Sequence, residues 1–146
     1  MGVRPGVDVA FVGYGPMLLT QAWTAADALA ADGISAAIVD LPWLDRIDDD
    51  WVRDVLGRFS TIVTLDNQYV SMGQGTMVAA ALARTRVNAQ VMSIGLTDVP
   101  ACGGNVEVLA RHGLDGASIA RAVRAAVAQG FSPAIANRSP EGLRHT

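Results

Sequence analysis

The sequence predicts an α/β domain, a three-layer α/β/α sandwich around a mostly parallel, mixed sheet of four to five strands. Short runs rich in β-branched residues alternate with segments in which apolar residues recur at helical spacing. Strands that alternate with helices in this way pair in parallel through right-handed crossovers. With 146 residues, of which 51% are hydrophobic, the chain is long enough for one domain with a substantial core.

The first half of the chain is predicted to contain two strands and two helices. A glycine turn, Gly13-Tyr14-Gly15, leads into a helix that Pro16 opens and Gly33 closes. Three consecutive aspartates, residues 48–50, place negative charge at the amino end of the second helix, where the helix dipole favours it. The predicted strands are residues 7–12 and 34–39, and the predicted helices are residues 16–30 and 51–59.

The second half is predicted to begin with a strand, residues 61–65, followed by a glycine-rich loop and a helix from Thr76. Asn105 can cap a short helix that Gly113 stops. From Gly130 onward the prolines and the lack of an apolar period predict a loose tail. The domain is therefore assigned to residues 1–130 and the tail to residues 131–146. The remaining predicted elements are a strand at 90–94, a loop at 95–104, and helices at 105–111 and 114–128.

The stretch 61–83 organises the chain and carries most of the candidate functional residues. In an open α/β sheet, ligands and partners meet the crevice outside the carboxyl ends of the strands. The glycines there also have a purely structural interpretation, in which they let the chain turn and the next helix approach closely. Gly73 and Gly75 are expected either to take a positive φ or to lie against a neighbouring element. The interface or loop candidates are Tyr14, Asp66, Gln68, Tyr69, Met72, Gly73 and Gly75.

The composition excludes several classes of chemistry. All 11 basic residues are arginine, so no Schiff base can form and no P-loop lysine can contact a phosphate. His145 lies next to the last residue, so a catalytic triad would depend on His112. A net charge of −3 argues against nucleic acid as a partner. Cys102 is the only cysteine, which excludes an internal disulfide and any multi-cysteine metal site.

The sequence gives no sign of a membrane or targeting segment. No apolar run approaches the ~20 residues that span a bilayer. Residues 1–6 lack the charged and then apolar form of a signal peptide. We therefore expect a cytoplasmic protein with no membrane partner.

A stand-alone nucleotide- or metabolite-binding module is the alternative function. Gly13 and Gly15 follow a strand and open a helix, and Asp40 ends the second strand, as in the dinucleotide fingerprint. Leu18 stands in place of the third glycine, and its side chain would block the close contact that glycine permits. A small independent enzyme that uses Asp66 or Cys102 is a third hypothesis.

Four other side chains have simpler interpretations. Trp23 is expected in the core, whereas Trp43 and Trp51 flank an acidic loop and are expected to cover the edge of the sheet. His112 ends a short helix, where a positive charge would be favourable against the helix dipole.

Five short motifs follow one another through nearly the whole globular part of the chain. They are Val9 to Met17, a strand with its glycine turn; Ala25 to Leu29 followed by Gly33-Ile34-Ser35-Ala36; Val39 to Leu44 with Asp48; Gly73-Gln74-Gly75; and Gly113-Leu114-Asp115 with Ile119. Together they resemble the C-terminal domain of the transketolase family. The same domain forms the C-terminal part of 2-oxo acid dehydrogenase beta subunits and of deoxyxylulose-phosphate synthase. Two positions depart from the family pattern: Arg46-Ile47 replaces a usual proline and its neighbour, and Asp66-Asn67-Gln68 replaces an acid pair or an acid–histidine pair.

The resemblance implies a supporting role in a transferase that moves a two-carbon ketol unit. Thiamine diphosphate and Mg would be bound by two other domains, and this chain alone would bind neither. No catalytic, cofactor-binding or metal-binding residue is therefore assigned here. The implied partner is a subunit that carries the diphosphate- and pyrimidine-binding domains, with a homodimer contact and a hetero-oligomeric complex. The position of Met1 just ahead of the first strand favours a natural subunit of a split enzyme over a fragment.

The resemblance also makes two structural predictions. The family domain begins with an extra antiparallel strand, for which residues 1–6 leave little room, and the sheet would then lack one edge strand. A domain that normally packs against two others should expose an apolar patch, which we expect near Tyr14, Tyr69, Val70 and Met72.

Overall fold

Five strands and five α-helices alternate along residues 2–130, the part of the chain that the computed structural model describes. The predicted tail, residues 131–146, lies outside the described residues. The strands are β1 (Gly2–Arg4), β2 (Val9–Gly13), β3 (Ala36–Asp40), β4 (Thr61–Tyr69) and β5 (Gln90–Leu96). The helices are α1 (Pro16–Ala30), α2 (Asp49–Val55, continued by the 3-10 turn Leu56–Arg58), α3 (Gln74–Thr85), α4 (Asn105–Arg111) and α5 (Gly116–Ala128).

The strands form one mixed sheet in the order β1-β3-β2-β4-β5, in which only β1 runs antiparallel to its neighbour. Alternate residues of the central strands face opposite sides, because side chains on a strand point to the two faces in turn. Phe11, Ile38 and Val63 belong to a cluster with α1 and α5, whereas Val12 and Ile62 belong to a cluster with α2 and α3. The predicted three-layer sandwich is therefore confirmed.

The expectation that the first residues are too short for an edge strand is wrong. Three residues suffice, because β1 pairs with β3 at Gly2 with Val39 and at Arg4 with Ile38. Arg4 anchors the strand from its side chain, since it forms a salt bridge with Asp27 of α1. The sheet therefore has all five strands.

Several predicted boundaries move by a few residues. β4 does not end at residue 65 but continues to Tyr69, because an irregularity in its pairing with β5 lets Tyr69 reach Leu96. α3 begins at Gln74 rather than at Thr76. The last helix begins at Gly116 because the Asp115 carboxylate accepts a hydrogen bond from the Ser118 N–H, at 3.3 Å.

The prediction that Trp23 lies in the core is also wrong. Its side chain is 43% exposed on the surface of α1. The guanidinium of Arg4 lies 5.2 Å from the centre of the indole ring, so β1 covers part of this surface. Within residues 2–130, no helix has both the length and the apolar character that a membrane span needs.

Candidate functional site

The Asp66 carboxylate lies at the centre of the predicted site and caps helix α3. Its side chain is fully buried near the carboxyl end of β4. The two carboxylate oxygens accept the backbone N–H groups of Gln74 at 2.6 Å and of Gly75 at 2.9 Å. These N–H groups belong to the first turn of a helix, where they have no partner inside the helix. Because Gly73 at the N-cap position has no side chain, Asp66 supplies the cap from a neighbouring strand.

The surroundings of Asp66 change the acidity of two groups. Burial raises the pKa of the Asp66 carboxyl, although the hydrogen bonds from the Gly75 and Gln74 N–H groups act in the opposite direction. The pKa of the Tyr14 phenol is raised by burial and by the negative charge of Asp66, against a hydrogen bond from the Asn67 backbone. Tyr14, in the turn after β2, and Asp66, in β4, therefore lie close enough for the charge of Asp66 to affect the phenol.

Gly73 and Gly75 are required by close approach and not by backbone conformation. Gly73 has a φ of −75°, and the φ of Gly75 is not positive either. A Cβ added to Gly73 would lie 2.7 Å from Asp66 Cγ, and one added to Gly75 would lie 2.3 Å from Thr64 Oγ1. Of the two predicted explanations, contact with a neighbouring element is therefore confirmed.

Gln68, Tyr69 and Met72 face solvent on the outer side of the same site. Of the four residues expected to form an apolar patch, Tyr69 is 46% exposed and Met72 is 88% exposed, whereas Tyr14 and Val70 are only partly exposed. Met72 also has a φ of 66°, a left-handed conformation that methionine rarely adopts. It lies in a turn closed by the hydrogen bond from the Gly73 N–H to the Val70 carbonyl oxygen, at 3.3 Å.

Gln74 is a structural residue of this site that sequence reasoning missed. Its side chain is only 2% exposed, and its Nε2 donates to the carbonyl oxygens of Leu41 at 2.5 Å and Trp43 at 3.0 Å. These bonds tie α3 to the loop that follows β3. The only signal in the sequence is a polar residue between two glycines at the start of a helix, which does not identify carbonyl partners more than thirty residues away.

The described residues offer little for catalysis or metal binding. No group of three or more His, Cys, Asp or Glu side chains within residues 2–130 could hold a metal ion. Both Asp66 oxygens are occupied by backbone donors, and Cys102 is exposed in the loop after β5. His112, at the end of α4, accepts the Ala101 N–H at Nε2 at 3.0 Å, which ties the loop after β5 to this helix.

The predicted resemblance to a dinucleotide fingerprint is partial. Gly13 pairs with Asp40 in the parallel register of β2 and β3, so the acidic residue does lie beside the glycine turn. Leu18, in place of the third glycine, is fully buried in the core between α1 and the sheet. The close helix–strand contact of the fingerprint is therefore replaced by a leucine side chain.

Comparisons with a family model and with known protein sequences indicate the same family. The family model described as "Transketolase, C-terminal domain" matches residues 2–119. A 1-deoxy-D-xylulose-5-phosphate synthase from Sodalis glossinidius (strain morsitans) is 32% identical over 123 residues, which are 83% of this chain and 19% of the synthase. The synthase of the same name from Cupriavidus pinatubonensis is 33% identical over 139 residues, 94% of this chain and 21% of that protein. The chain therefore spans about a fifth of the length of these relatives.

Solved structures show the same relationship. A structure described as "Split gene transketolase, inactive beta4 tetramer" superimposes with a TM-score of 0.76 and 29% identity, and covers 88% of this chain and 41% of that chain. A transketolase mutant from Pichia stipitis superimposes with a TM-score of 0.68 at 19% identity over 88% of this chain and 18% of that one, which supports the fold alone. Since the family model matches most of its length, this chain belongs to the family of transketolase C-terminal domains.

Proposed function

We propose that this chain is the C-terminal part of a thiamine-diphosphate-dependent, transketolase-like enzyme and supports its assembly. The observation that carries the proposal is that Asp66 has a structural role, whereas residues close to it in sequence are exposed. Both Asp66 carboxylate oxygens accept backbone N–H groups of α3, and the side chains of Tyr69 and Met72 are exposed to solvent. A site of this kind is suited to binding another protein surface rather than to proton transfer or metal chemistry.

The exposed apolar residues support the same conclusion. We call the set Trp43, Leu44, Tyr69, Met72 and Val99 the carboxyl-end face, because these residues lie at or after the carboxyl ends of β3, β4 and β5. Each is between 46% and 88% exposed. Since β3, β4 and β5 are parallel members of one sheet, these ends lie along the same edge.

In this proposal the cofactor is bound elsewhere. Thiamine diphosphate supplies the carbanion chemistry of ketol transfer, and Mg would hold its diphosphate. Two observations support this assignment: no group of three or more His, Cys, Asp or Glu side chains that could hold a metal ion occurs among residues 2–130, and each Asp66 oxygen accepts a backbone N–H. The partner is therefore proposed to be the polypeptide that carries the diphosphate- and pyrimidine-binding domains. The split-gene origin and tetrameric state of the similar transketolase structure support an oligomeric complex with such a partner.

Reconstitution tests the proposal. The chain is mixed with the polypeptide that carries the two cofactor-binding domains, and the mixture is examined by sizing chromatography and by a ketol-transfer assay. We expect co-elution, and activity that neither polypeptide shows alone. Separate elution, together with full activity of the partner without this chain, would contradict the proposal.

The alternative, a stand-alone nucleotide- or metabolite-binding module, is favoured by the position of Asp40 beside Gly13. It is tested by titration of the chain with a nicotinamide dinucleotide. We expect no rise in melting temperature, because Leu18 fills the place of the third glycine. A rise that Asp40→Ala abolishes would establish the alternative instead.

A stoichiometric thiamine diphosphate and Mg site, found by calorimetry on the chain alone, would contradict the assignment of the cofactor to other domains.

A further inference from the structure

A pocket that sequence analysis did not identify lies between β3 and α2. Its volume is about 550 Å³, within the range of about 300–1,000 Å³ that is typical of ligand sites. A single segment of the chain, residues 40–51, lines it. The lining combines the indoles of Trp43 and Trp51 with the charged side chains of Asp40, Arg46 and Asp48.

Hydrogen bonds hold the walls of the pocket on both sides. The buried Gln74 amide donates to the carbonyl oxygens of Leu41 and Trp43, which fixes the loop after β3. On the other side, Asp48 Oδ1 accepts the Trp51 N–H at 2.8 Å and caps α2. The pocket is thus formed before any partner binds, which lowers the entropic cost of binding.

The charge around the pocket favours a cation. Residues 40–54 contain six aspartates and two arginines, and Arg84 adds one positive charge by its bond to Asp49 at 3.0 Å. The local net charge is therefore about −3, and a partly enclosed cleft focuses this field. An anionic ligand such as a nucleotide would be repelled.

The aromatic groups favour a planar or compact cation in particular. The Arg46 guanidinium lies 4.3 Å from the centre of the Trp43 ring, so one indole already carries a cation. Within residues 2–130, no cation lies over the ring of Trp51. Trp51 and Asp48 line the same pocket, so a second cation there could contact the indole ring and pair with the carboxylate.

We propose that this pocket receives an arginine or lysine side chain of a protein partner, which stacks on Trp51 and pairs with Asp48. A partner segment fits better than a free small cation, because Trp43 and Leu44 are each 51% exposed and would be covered by the residues that flank the basic side chain. The proposal rests on the proposed function only for the identity of the partner, the polypeptide that carries the cofactor-binding domains.

The test uses the whole chain and the three indole N–H signals of its NMR spectrum. The probes are two blocked pentapeptides, identical except for arginine or glutamate at the central position, and ADP as an anionic probe. We expect the arginine peptide to shift the signals of Trp51 and Trp43 in a saturable way and to leave that of Trp23 on α1 unchanged. Higher salt should weaken the binding, because the attraction is largely electrostatic.

Two variants identify the groups involved. Trp51→Ala should lower the affinity for the arginine peptide about three- to thirtyfold, the range expected for a cation–π contact. Asp48→Asn keeps an N-cap acceptor but removes the charge, so it should lower the affinity without unfolding α2. Trp23→Ala is the matched control and should bind like the parent.

Several results would overturn the proposal. They are the absence of a saturable shift with the arginine peptide, equal shifts with the glutamate peptide, and movement of the Trp51 signal by ADP. The outcome is separable from that of the proposed function. If reconstitution succeeds and the peptide does not bind, the pocket proposal alone fails. If the peptide binds and no complex forms, the proposed function alone fails.

Discussion

At the scale of single residues, Asp66 connects strand β4 to helix α3. Its carboxylate is fully buried and accepts two backbone N–H groups of the first turn of α3. Hydrogen bonds to a charged group contribute about 1.5–3 kcal/mol each, and the cost of burying the carboxylate offsets part of this contribution. Loss of one partner also leaves a buried donor unsatisfied. Asp66→Ala should therefore lower the free energy of unfolding by about 2–4 kcal/mol, measured by chemical denaturation. A variant as stable as the parent would show that α3 does not depend on this cap.

The raised pKa of Asp66 predicts a pH dependence with a definite sign. Burial raises the pKa of the folded carboxyl above its ordinary value of 3.8, so the folded state binds more protons than the unfolded state between the two values. The contribution of Asp66 to stability is then fully present below the unfolded pKa and is lost as pH rises through the folded pKa.

Asp66→Asn cannot titrate, and every other carboxyl is common to both proteins. The stability of the parent relative to Asp66→Asn should therefore fall as the pH is raised from below 3.8, the ordinary pKa, through the raised pKa of the folded carboxyl, in denaturation experiments at each pH. A constant difference, or one that grows with pH, would contradict the raised pKa.

Met72 combines a left-handed backbone with an almost fully exposed side chain. The left-handed conformation costs roughly 1–2 kcal/mol for a non-glycine residue, and glycine offsets part of this gain by its greater freedom in the unfolded chain. Met72→Gly should leave the isolated chain equally stable or up to about 1 kcal/mol more stable, measured by thermal or chemical unfolding. A clear loss of stability would show that the methionine side chain packs within its own chain.

The residue types in the sequence indicated where along the chain this site lies, but they did not indicate which contacts form there. Asp66, Gly73 and Gly75 stand out because a polar residue follows a β-branched run and glycines open a helix. The sequence did not reveal that the carboxylate caps the helix itself, because this contact depends on how far β4 extends. Gln74 was missed because its partners, Leu41 and Trp43, are distant in sequence.

At the scale of elements, the junction of β4, α3 and β5 is packed too tightly for any side chain at Gly75. A Cβ there would lie 2.3 Å from Thr64 Oγ1 and 2.7 Å from Ser93 Oγ, two hydroxyls that bond to each other at 2.9 Å. Gly75→Ala should therefore lower the free energy of unfolding by about 1–3 kcal/mol through overpacking, and valine should cost at least as much. Chemical denaturation measures the change.

Gly57 provides the matched control for this prediction. It lies in the 3-10 turn after α2, and a Cβ added there would meet its nearest atom at 3.8 Å, an ordinary contact. Gly57→Ala should therefore leave stability nearly unchanged. If Gly75→Ala and Gly57→Ala change the free energy of unfolding by the same amount, the junction is packed less tightly than its geometry indicates.

The type and order of the principal elements could be predicted because their periodicity is strong, whereas β1 and the end of β4 could not. β1 has three residues, too few to display a period, and it is held by β3 and by the contact between Arg4 and Asp27. The end of β4 depends on an irregular register with β5, which local sequence does not encode. Trp23 was misplaced because helical spacing groups it with the apolar residues of α1, whereas its ring lies at the surface beside Arg4 of β1.

At the scale of the whole molecule, the domain has a buried apolar core and exposes apolar side chains on the carboxyl-end face. Strand β2 at the centre of the sheet is fully buried, whereas the carboxyl-end face carries exposed tryptophan, leucine, tyrosine, methionine and valine side chains. This face holds five of the nine large apolar residues that are exposed among residues 2–130. Exposed apolar residues grouped in this way are typical of a protein interaction site. On the basis of family membership and this surface, we propose that the chain has a role in assembly.

The most direct test of this role is the affinity of the chain for the polypeptide with the cofactor-binding domains, obtained by titrating ketol-transfer activity. Three forms are compared: the parent, the double variant Tyr69→Ser with Met72→Ser, and Val7→Ser. Val7 is an exposed apolar residue just before β2, at the amino ends of the strands and so away from the carboxyl-end face. We expect the double variant to bind at least about tenfold more weakly than the parent, and Val7→Ser to bind like the parent. Full activity of the partner without this chain, or equal affinity of the parent and the double variant, would contradict the account.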